Sequence, residues 1–395
     1  MQVGIGISTK NEPSLAIEEA FWQAKIQISS SKPNVCFIFS SPEFASPLLL
    51  KKIYPYLLDI PVVGCSTLAI FYNSHIYRHG VLVLLIQMEG VNLSVGVVKE
   101  IKKKGSLIAG EELGKELLKN FKSSQRDFAM LFCDGLLDEG SQLLRGLQER
   151  LGTSFPIVGG SASDNLRFLK TYLYFNKEIL TDSAIALLWG GKLNFSLSFR
   201  HGWKPVGKSH TVNEAKGNLI KKIDQKPAVE LYQEYFAKDN FELKKDLKLI
   251  SSLYPLGIYL EGEQEYLLRN IRSIQDDGSL ICQGDVPEGS TVKIMIGTKQ
   301  TCLLATREAT EELKENFFSL PYKKKMDLVF SWSSTSRYIL LKREAEEELN
   351  IIQKILGENI PLIGIYTYGE QAPLKAITYQ GKTHFHNQSI VLLAL

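Results

Sequence analysis

Along the chain, short apolar runs alternate with segments whose apolar residues return every three or four positions. Residues 3–7 form the first run; Ile17, Ala20, Phe21, Ala24 and Ile28 then share one helical face, and Pro13 sits where a first turn misses no amide donor. A second run follows at 35–39, then another helical segment and PVVGCST from Pro61. This order predicts an α/β fold. Three strand-like pieces come next, around 70–76, 81–86 and 93–98, and their polar and glycine separators predict an antiparallel meander.

The same order returns twice. The second copy has a helix at 111–121 with Leu113, Leu117 and Phe121 in register, a strand at 128–133, a helix at 143–151 and PIVGGSASDN from Pro156. The third has a helix at 308–317, a strand at 327–330, a helix at 345–356, PLIGIYTYGE from Pro361 and a closing strand at 390–395. Residues 202–289 read as a degenerate fourth copy. A chain of 395 residues exceeds what one core usually supports. The expected architecture is therefore two α/β domains, residues 1–200 and 201–395, built from duplicated strand-helix-strand-helix-strand units each followed by antiparallel strands.

In a strand-helix-strand crossover both strands are parallel, so their carboxyl ends emerge on one sheet edge, where α/β proteins keep ligands. In copy one this pairs Ser40 and Ser41 with Gly64, Cys65, Ser66 and Thr67. Copy two pairs Asp134 and Gly135 with Gly159, Gly160, Ser161, Ser163, Asp164 and Asn165. Copy three pairs Ser331 with Tyr366, Thr367, Tyr368, Gly369 and Glu370. Glycines open backbone amides to a guest, and hydroxyls add hydrogen bonds, which suits a small anionic or zwitterionic molecule. The same residue types also favour ordinary strand-ending turns.

Composition narrows the partners. Forty-six Lys and Arg against 43 Asp and Glu leave a charge of +3, far below the basic excess of a protein that holds a nucleic-acid backbone. The longest apolar stretch, 80–86, has the length of a strand and not of a membrane span. MQVGIGIST lacks the pattern of a secretory leader, so a cytoplasmic location is expected. Five scattered cysteines suit neither a disulfide framework nor a CxxC metal site.

These residues resemble a known family, the FIST domain proteins, named for F-box and intracellular signal transduction. PVVGCST and PIVGGSASDN look like the glycine motifs of the amino-terminal FIST domain. PAVELYQEY from Pro227, YLLRNIRSIQDDGSLICQGDVPEGS from Tyr266, IYTYGEQAP from Ile365 and FHNQS from Phe385 resemble the carboxyl-terminal one. The resemblance implies a sensory role with small molecules such as amino acids as ligands. Similar proteins tend to carry a cysteine after the serine of the Ser331 strand. Trp332 stands there, which weakens a thiol mechanism, while Ser331 and Arg337 still fit the pattern.

Other motifs have competing readings. GWKPVGKS, from Gly202, satisfies the Walker A expression, but it runs into β-branched residues and Gly217 and reads as a hairpin, not as a helix amino end. GGSAS at Gly159 resembles a nucleophile elbow and ends in Ser163 where glycine is required. Cys65 is either a reactive thiol at a strand end or a small buried apolar residue. His384 and His386 share one strand face as metal ligands would, without an evident third. Arg269, Arg272 and Arg337 could each clamp a carboxylate; Arg269 and Arg272 point opposite ways, and Arg269 is the one expected in the pocket.

The sequence thus predicts a stand-alone sensor without catalytic residues, cofactor or metal. It binds a small polar metabolite and signals through a protein partner, with no nucleic acid or membrane contact; its oligomeric state stays open. The alternatives are a thiol-dependent or hydrolytic enzyme using Cys65 or Ser161, and an interaction scaffold without ligand.

Overall fold

A computed structural model of the protein describes residues 1–395 except 29–31, 58, 192, 261–264, 322–324 and 375–380. It is a mixed α/β protein, and among the described residues its strands form three six-stranded sheets and one larger antiparallel sheet. The three six-stranded sheets follow one plan. Each has a single parallel pair at its centre, flanked on either side by two antiparallel neighbours. The parallel pairs are Val35–Ser40 with Val62–Ser66, Phe128–Cys133 with Ile157–Ser161, and Val329–Ser334 with Leu362–Thr367. These are the three crossovers predicted from the repeat.

The helices follow the apolar spacing. Pro13–Lys25 buries Ala16, Ile17, Ala20, Phe21 and Ala24, and Glu12 accepts hydrogen bonds from the Ser14 and Leu15 amides at its start. Ser106–Asn120 and Gly140–Leu151 cover the second unit, and Lys299–Phe318 and Ala345–Leu356 cover the third. No helix among the described residues is long and apolar enough to cross a membrane.

The expected meanders do not form. Within the first unit, Val81–Gln87 lies between Gln2–Ser8 and Val35–Ser40, while Ile70–Tyr72 and His75–Tyr77 leave as a hairpin and join the third unit's sheet. Likewise Leu173–Phe175 and Glu178–Leu180 of the second unit extend the first sheet, and Glu370–Pro373 and Thr383–His386 of the third extend the second. Each unit lends its hairpin to the next around a closed ring. Local periodicity cannot distinguish this from a meander, because a hairpin reads identically whichever strand it pairs with.

Alternation along the parallel strands sends one face inward. Phe37, Phe39, Phe132, Phe330 and Trp332 meet there, with ring centroids of Phe39 5.8 Å from Phe132 and 5.5 Å from Phe330. The ring of three sheets is therefore filled by aromatic packing, and its outer faces are sealed by the helices.

Residues 202–289 are not a fourth copy. They fold as a separate lobe: the antiparallel sheet, containing Lys204–Lys216, Leu219–Ile223 and Thr291–Ile296, packs on Val229–Phe236 and Asn240–Leu253 around its own core. Strand-like residues in regular succession imitate the repeat without containing a parallel crossover. The lobe is inserted between Ser196–Arg200 and Lys299–Phe318, so residue 200 ends a strand of the third unit's sheet. Two of the three sheets take strands from both sides of that position. At the two connections, Trp203 packs so closely on Gly297 that a Cβ there would lie 2.5 Å from the indole.

Candidate functional site

The three strand-ending turns do converge, as the crossovers require, but they are bonded to one another. Ser66 Oγ donates to Ser163 O at 3.0 Å, Ser163 Oγ to Tyr366 O at 2.5 Å, and Thr67 Oγ1 to Tyr366 O at 2.8 Å. Ser161 N donates to Gly369 O at 2.7 Å, and its hydroxyl lies 3.3 Å from Cys133 Sγ. Ser66, Thr67, Ser161, Ser163, Tyr366 and Thr367 are all buried. The hydroxyls of Ser66, Thr67 and Ser163, the Ser161 amide and the carbonyls they reach hold the three units together, while Thr367 bonds within its own unit.

The glycines have a related reason. A Cβ on Gly64 would lie 1.8 Å from Ile38 O, one on Gly159 1.9 Å from Leu131 O, and one on Gly364 2.3 Å from Ser331 O. In each unit the glycine lets the two parallel strands approach. Gly135 would likewise meet Ala162 O at 1.8 Å, and Gly160 meets Trp332 and Thr367.

The remaining predicted residues are placed as follows. Ser40 pairs with Tyr174 at 2.6 Å, and Ser41 bonds Gly80. Asp134 accepts from Thr171 Oγ1 at 2.5 Å, Asp182 N at 2.6 Å and Leu136 N at 2.9 Å, which fixes its loop. Cys65 is buried, and burial pushes its thiol pKa up, which disfavours the thiolate a nucleophile needs. Ser331 lies buried in its strand. Arg337 is fully buried: its Nε donates to Glu348 at 2.8 Å and its Nη groups to His201 O at 2.7 Å and Cys302 O at 3.0 Å. Those two carbonyls flank the lobe's connections, so Arg337 braces them. Glu370 is buried and accepts from Thr367 Oγ1 and Ser389 Oγ, each at 2.6 Å; burial pushes its carboxyl up to about 8. Arg269 does not face a pocket: it is buried, donates to the carbonyls of Asp285, Leu268 and Phe385, and burial draws its guanidinium down to about 10.

GWKPVGKS runs into a strand: Lys208 and Ser209 lie inside Lys204–Lys216 and do not open a helix. His384 and His386 stand 6.3 Å apart, His386 Nε2 bonds Ala372 O at 2.9 Å, and no group of metal-binding side chains forms among the described residues.

Asp164 connects the buried corner to an open cleft. Its carboxylate accepts the backbone N–H groups of Arg167, Phe168, Leu169 and Lys170 at 2.8–3.3 Å, and the Tyr368 hydroxyl also donates to it. Burial would raise its pKa, but these donors outweigh that and hold it below its usual value. The loop so gathered puts Leu166 and Phe168 at φ 61° and 56°, an uncommon conformation for such side chains. Phe168 then stacks on Tyr368, with centroids 4.4 Å apart, and projects towards the inserted lobe.

Between them lies a cleft of about 130 Å³. Gly135 and Phe168 line it from the ring of sheets; Leu247, Lys248, Ser251, Ser252, Asn270, Ile271, Arg272 and Gln283 line it from the lobe. Gln283 Nε2 donates to Tyr368 O at 2.6 Å and Asn270 N to Asn387 Oδ1 at 3.0 Å, so the cleft floor is tied to both parts. Sequence reasoning missed most of these residues, because the lobe's contribution depends on an approach of segments about 80 to 150 positions apart. Arg272 was within reach, beside the Arg269 that was preferred.

A ring of three strand-exchanged α/β units carrying one inserted lobe is the class of protein defined here. The FIST N domain matches residues 34–226 and the FIST C domain residues 228–373. The chain belongs to the FIST family, associated with sensing in signal transduction. The chain is 25% identical over 362 residues to the uncharacterized protein MJ1623 of Methanocaldococcus jannaschii, a match covering 82% of this chain and 66% of that one, so about a third of the archaeal protein lies outside it. It is 22% identical over 384 residues to the uncharacterized protein Rv0628c of Mycobacterium tuberculosis, covering 95% of both. Among solved structures, cyanuric acid hydrolase from A. caulinodans aligns over 100% of this chain and 99% of its own with 8% identity and a TM-score of 0.41, too low to bear on fold or chemistry.

Proposed function

We propose that the protein is a cytoplasmic sensor that binds a small polar metabolite, of amino-acid size, in the cleft between the ring and the inserted lobe. The carrying observation is that the cleft is lined from both parts and floored by side chains that bridge them. A guest there contacts Phe168 on one side and Arg272 on the other, so its binding favours one arrangement of lobe and ring over others. A separate protein partner reads that arrangement.

Binding rather than turnover is the reading favoured by the side chains present. The cleft is lined by Ser251, Ser252, Asn270 and Gln283 with two cations, and Cys65 and Ser161, the nucleophiles of the enzymatic alternative, are buried away from it. A thermal-shift screen of small metabolites tests the proposal, because a guest that binds only the folded state raises the melting temperature by mass action. A response abolished by Phe168→Ala supports it. A response that survives Phe168→Ala and Arg272→Gln unchanged places the guest elsewhere.

A further inference from the structure

The charges of the cleft are unbalanced. Arg272 uses Nη1 for Leu137 O and the Asp138 carboxylate, both at 3.2 Å, and its Nε and Nη2 have no hydrogen-bond partner among the described residues. Lys248 lies 5.1 Å above the Phe168 ring and has no ion pair among the described residues. Among the described residues, no Asp or Glu lines the cleft. Asp138, the nearest acid to Arg272, is 68% exposed and therefore well screened by solvent. Asp164, beneath the Phe168 loop, already accepts four backbone amides.

We infer that the cleft takes a small organic anion without an ammonium group: a short carboxylic acid whose carboxylate meets Arg272 and Lys248 and whose body rests on Phe168, Leu247 and Ile271. This rests on the sensor reading above and narrows it. The free Nε and Nη2 of Arg272 form the edge that engages a carboxylate with two parallel hydrogen bonds. An amino acid would bring the same carboxylate plus an ammonium, which finds no carboxylate in the lining and would lie beside two cations. Such uncompensated charge is the kind of element by which a site rejects a near-isosteric competitor. The Phe168 ring has a dual part: it is the apolar cover, and its face holds the Lys248 ammonium over the opening.

Calorimetric titration of the full chain with matched pairs tests the inference: lactate against alanine, glycerate against serine, 3-methylbutanoate against valine, succinate against aspartate. At least one acid is expected to bind about tenfold or more tightly than its amino-acid counterpart. Arg272→Gln should weaken that acid about tenfold and Lys248→Met by less, while Asp138→Asn should tighten it slightly by removing a competing carboxylate charge beside Arg272. The melting temperature of each unliganded variant verifies that it folds. An amino acid that binds as tightly as its acid, and is weakened by Phe168→Ala, overturns the anion assignment and leaves the sensor reading standing. Acid binding indifferent to both cationic substitutions overturns the site. If neither series binds at millimolar concentration and no small molecule is released on denaturing the purified protein, both readings fail.

Discussion

Two polar regions adjoin in this molecule, and they satisfy their groups in different ways. At the corner where the three strand ends meet, the hydroxyls of Ser66, Thr67 and Ser163 reach carbonyls of a neighbouring unit, and all are buried. In the cleft a few residues away, Arg272 keeps donors unengaged and Lys248 has a ring beneath it and no ion pair, among the described residues. The corner is assembled, and the cleft keeps donors unengaged. Burial explains the difference: an unmatched polar group inside a protein is costly, whereas at a cleft rim water satisfies it until something better arrives. Residue type therefore did not separate groups bonded within the fold from donors left unengaged, but the hydrogen-bond inventory does.

The largest expected effect belongs to the braced side. Arg337→Ala leaves the Glu348 carboxylate buried without its partner and frees the His201 and Cys302 carbonyls. Breaking such a pair costs about 3–5 kcal/mol. Urea unfolding should show a loss of that size; a variant within about 1 kcal/mol of wild type would mean that the pair is dispensable to the junction.

Glu370 gives the next effect, and its sign depends on pH. Its carboxyl is raised from an ordinary 4.5 to about 8, so the folded state prefers it protonated. The stability it contributes is fully present below about pH 4.5 and is lost as pH rises through about 8. Glu370→Gln should therefore stabilise the protein at pH 8, by something on the order of 3 kcal/mol, and change little at pH 4.5. Melting temperatures of both proteins across that range test this; parallel curves would show that Glu370 is not the group that titrates.

How much of this was legible beforehand follows from the same contrast. The three crossovers and their glycines were readable because a parallel pair with a covering helix has a fixed local signature, and PVVG, PIVG and PLIG mark it each time. The exchange of hairpins was not, since Ile70–Tyr72 carries no mark of pairing with Ile363, Gly364 and Ile365 instead of its own unit. Asp164 was singled out as a ligand contact. It organises the loop that offers Phe168, and a carboxylate collecting successive amides looks the same in sequence as one awaiting a guest. Lys248 lies on the exposed face of an amphipathic helix, where a lysine is the commonest solvated residue, so nothing marked it.

Asp164→Ala joins the two regions and should have an intermediate effect. It removes the acceptor of four backbone N–H groups and of the Tyr368 hydroxyl. The loop amides can turn to water, while Tyr368 loses a partner within the protein, so a cost of about 1–3 kcal/mol is expected. Leu166 and Phe168 should then leave their positive-φ conformations, and hydrogen exchange of residues 165–170 should quicken while the strands on either side stay protected. Unchanged exchange in the loop would show that the local backbone holds itself.

The smallest expected effect on stability is also the most diagnostic. Arg272 is partly exposed, and its ion pair with the largely exposed Asp138 is of the kind that contributes about 0–1 kcal/mol. Arg272→Gln keeps a donor towards Leu137 O and removes the charge, so the melting temperature of the unliganded protein should hardly move. The ligand-induced rise in that temperature should shrink, because the rise depends on affinity through mass action whereas the baseline does not. A corner residue cannot give this pattern: Ser163→Ala removes bonds that hold the units together, and it should lower the baseline while leaving the increment from ligand intact. The two variants thus distinguish a group that maintains the fold from one that meets a guest. If Arg272→Gln lowers the baseline and preserves the increment, Arg272 belongs to the assembled corner and the division between the two regions is drawn in the wrong place.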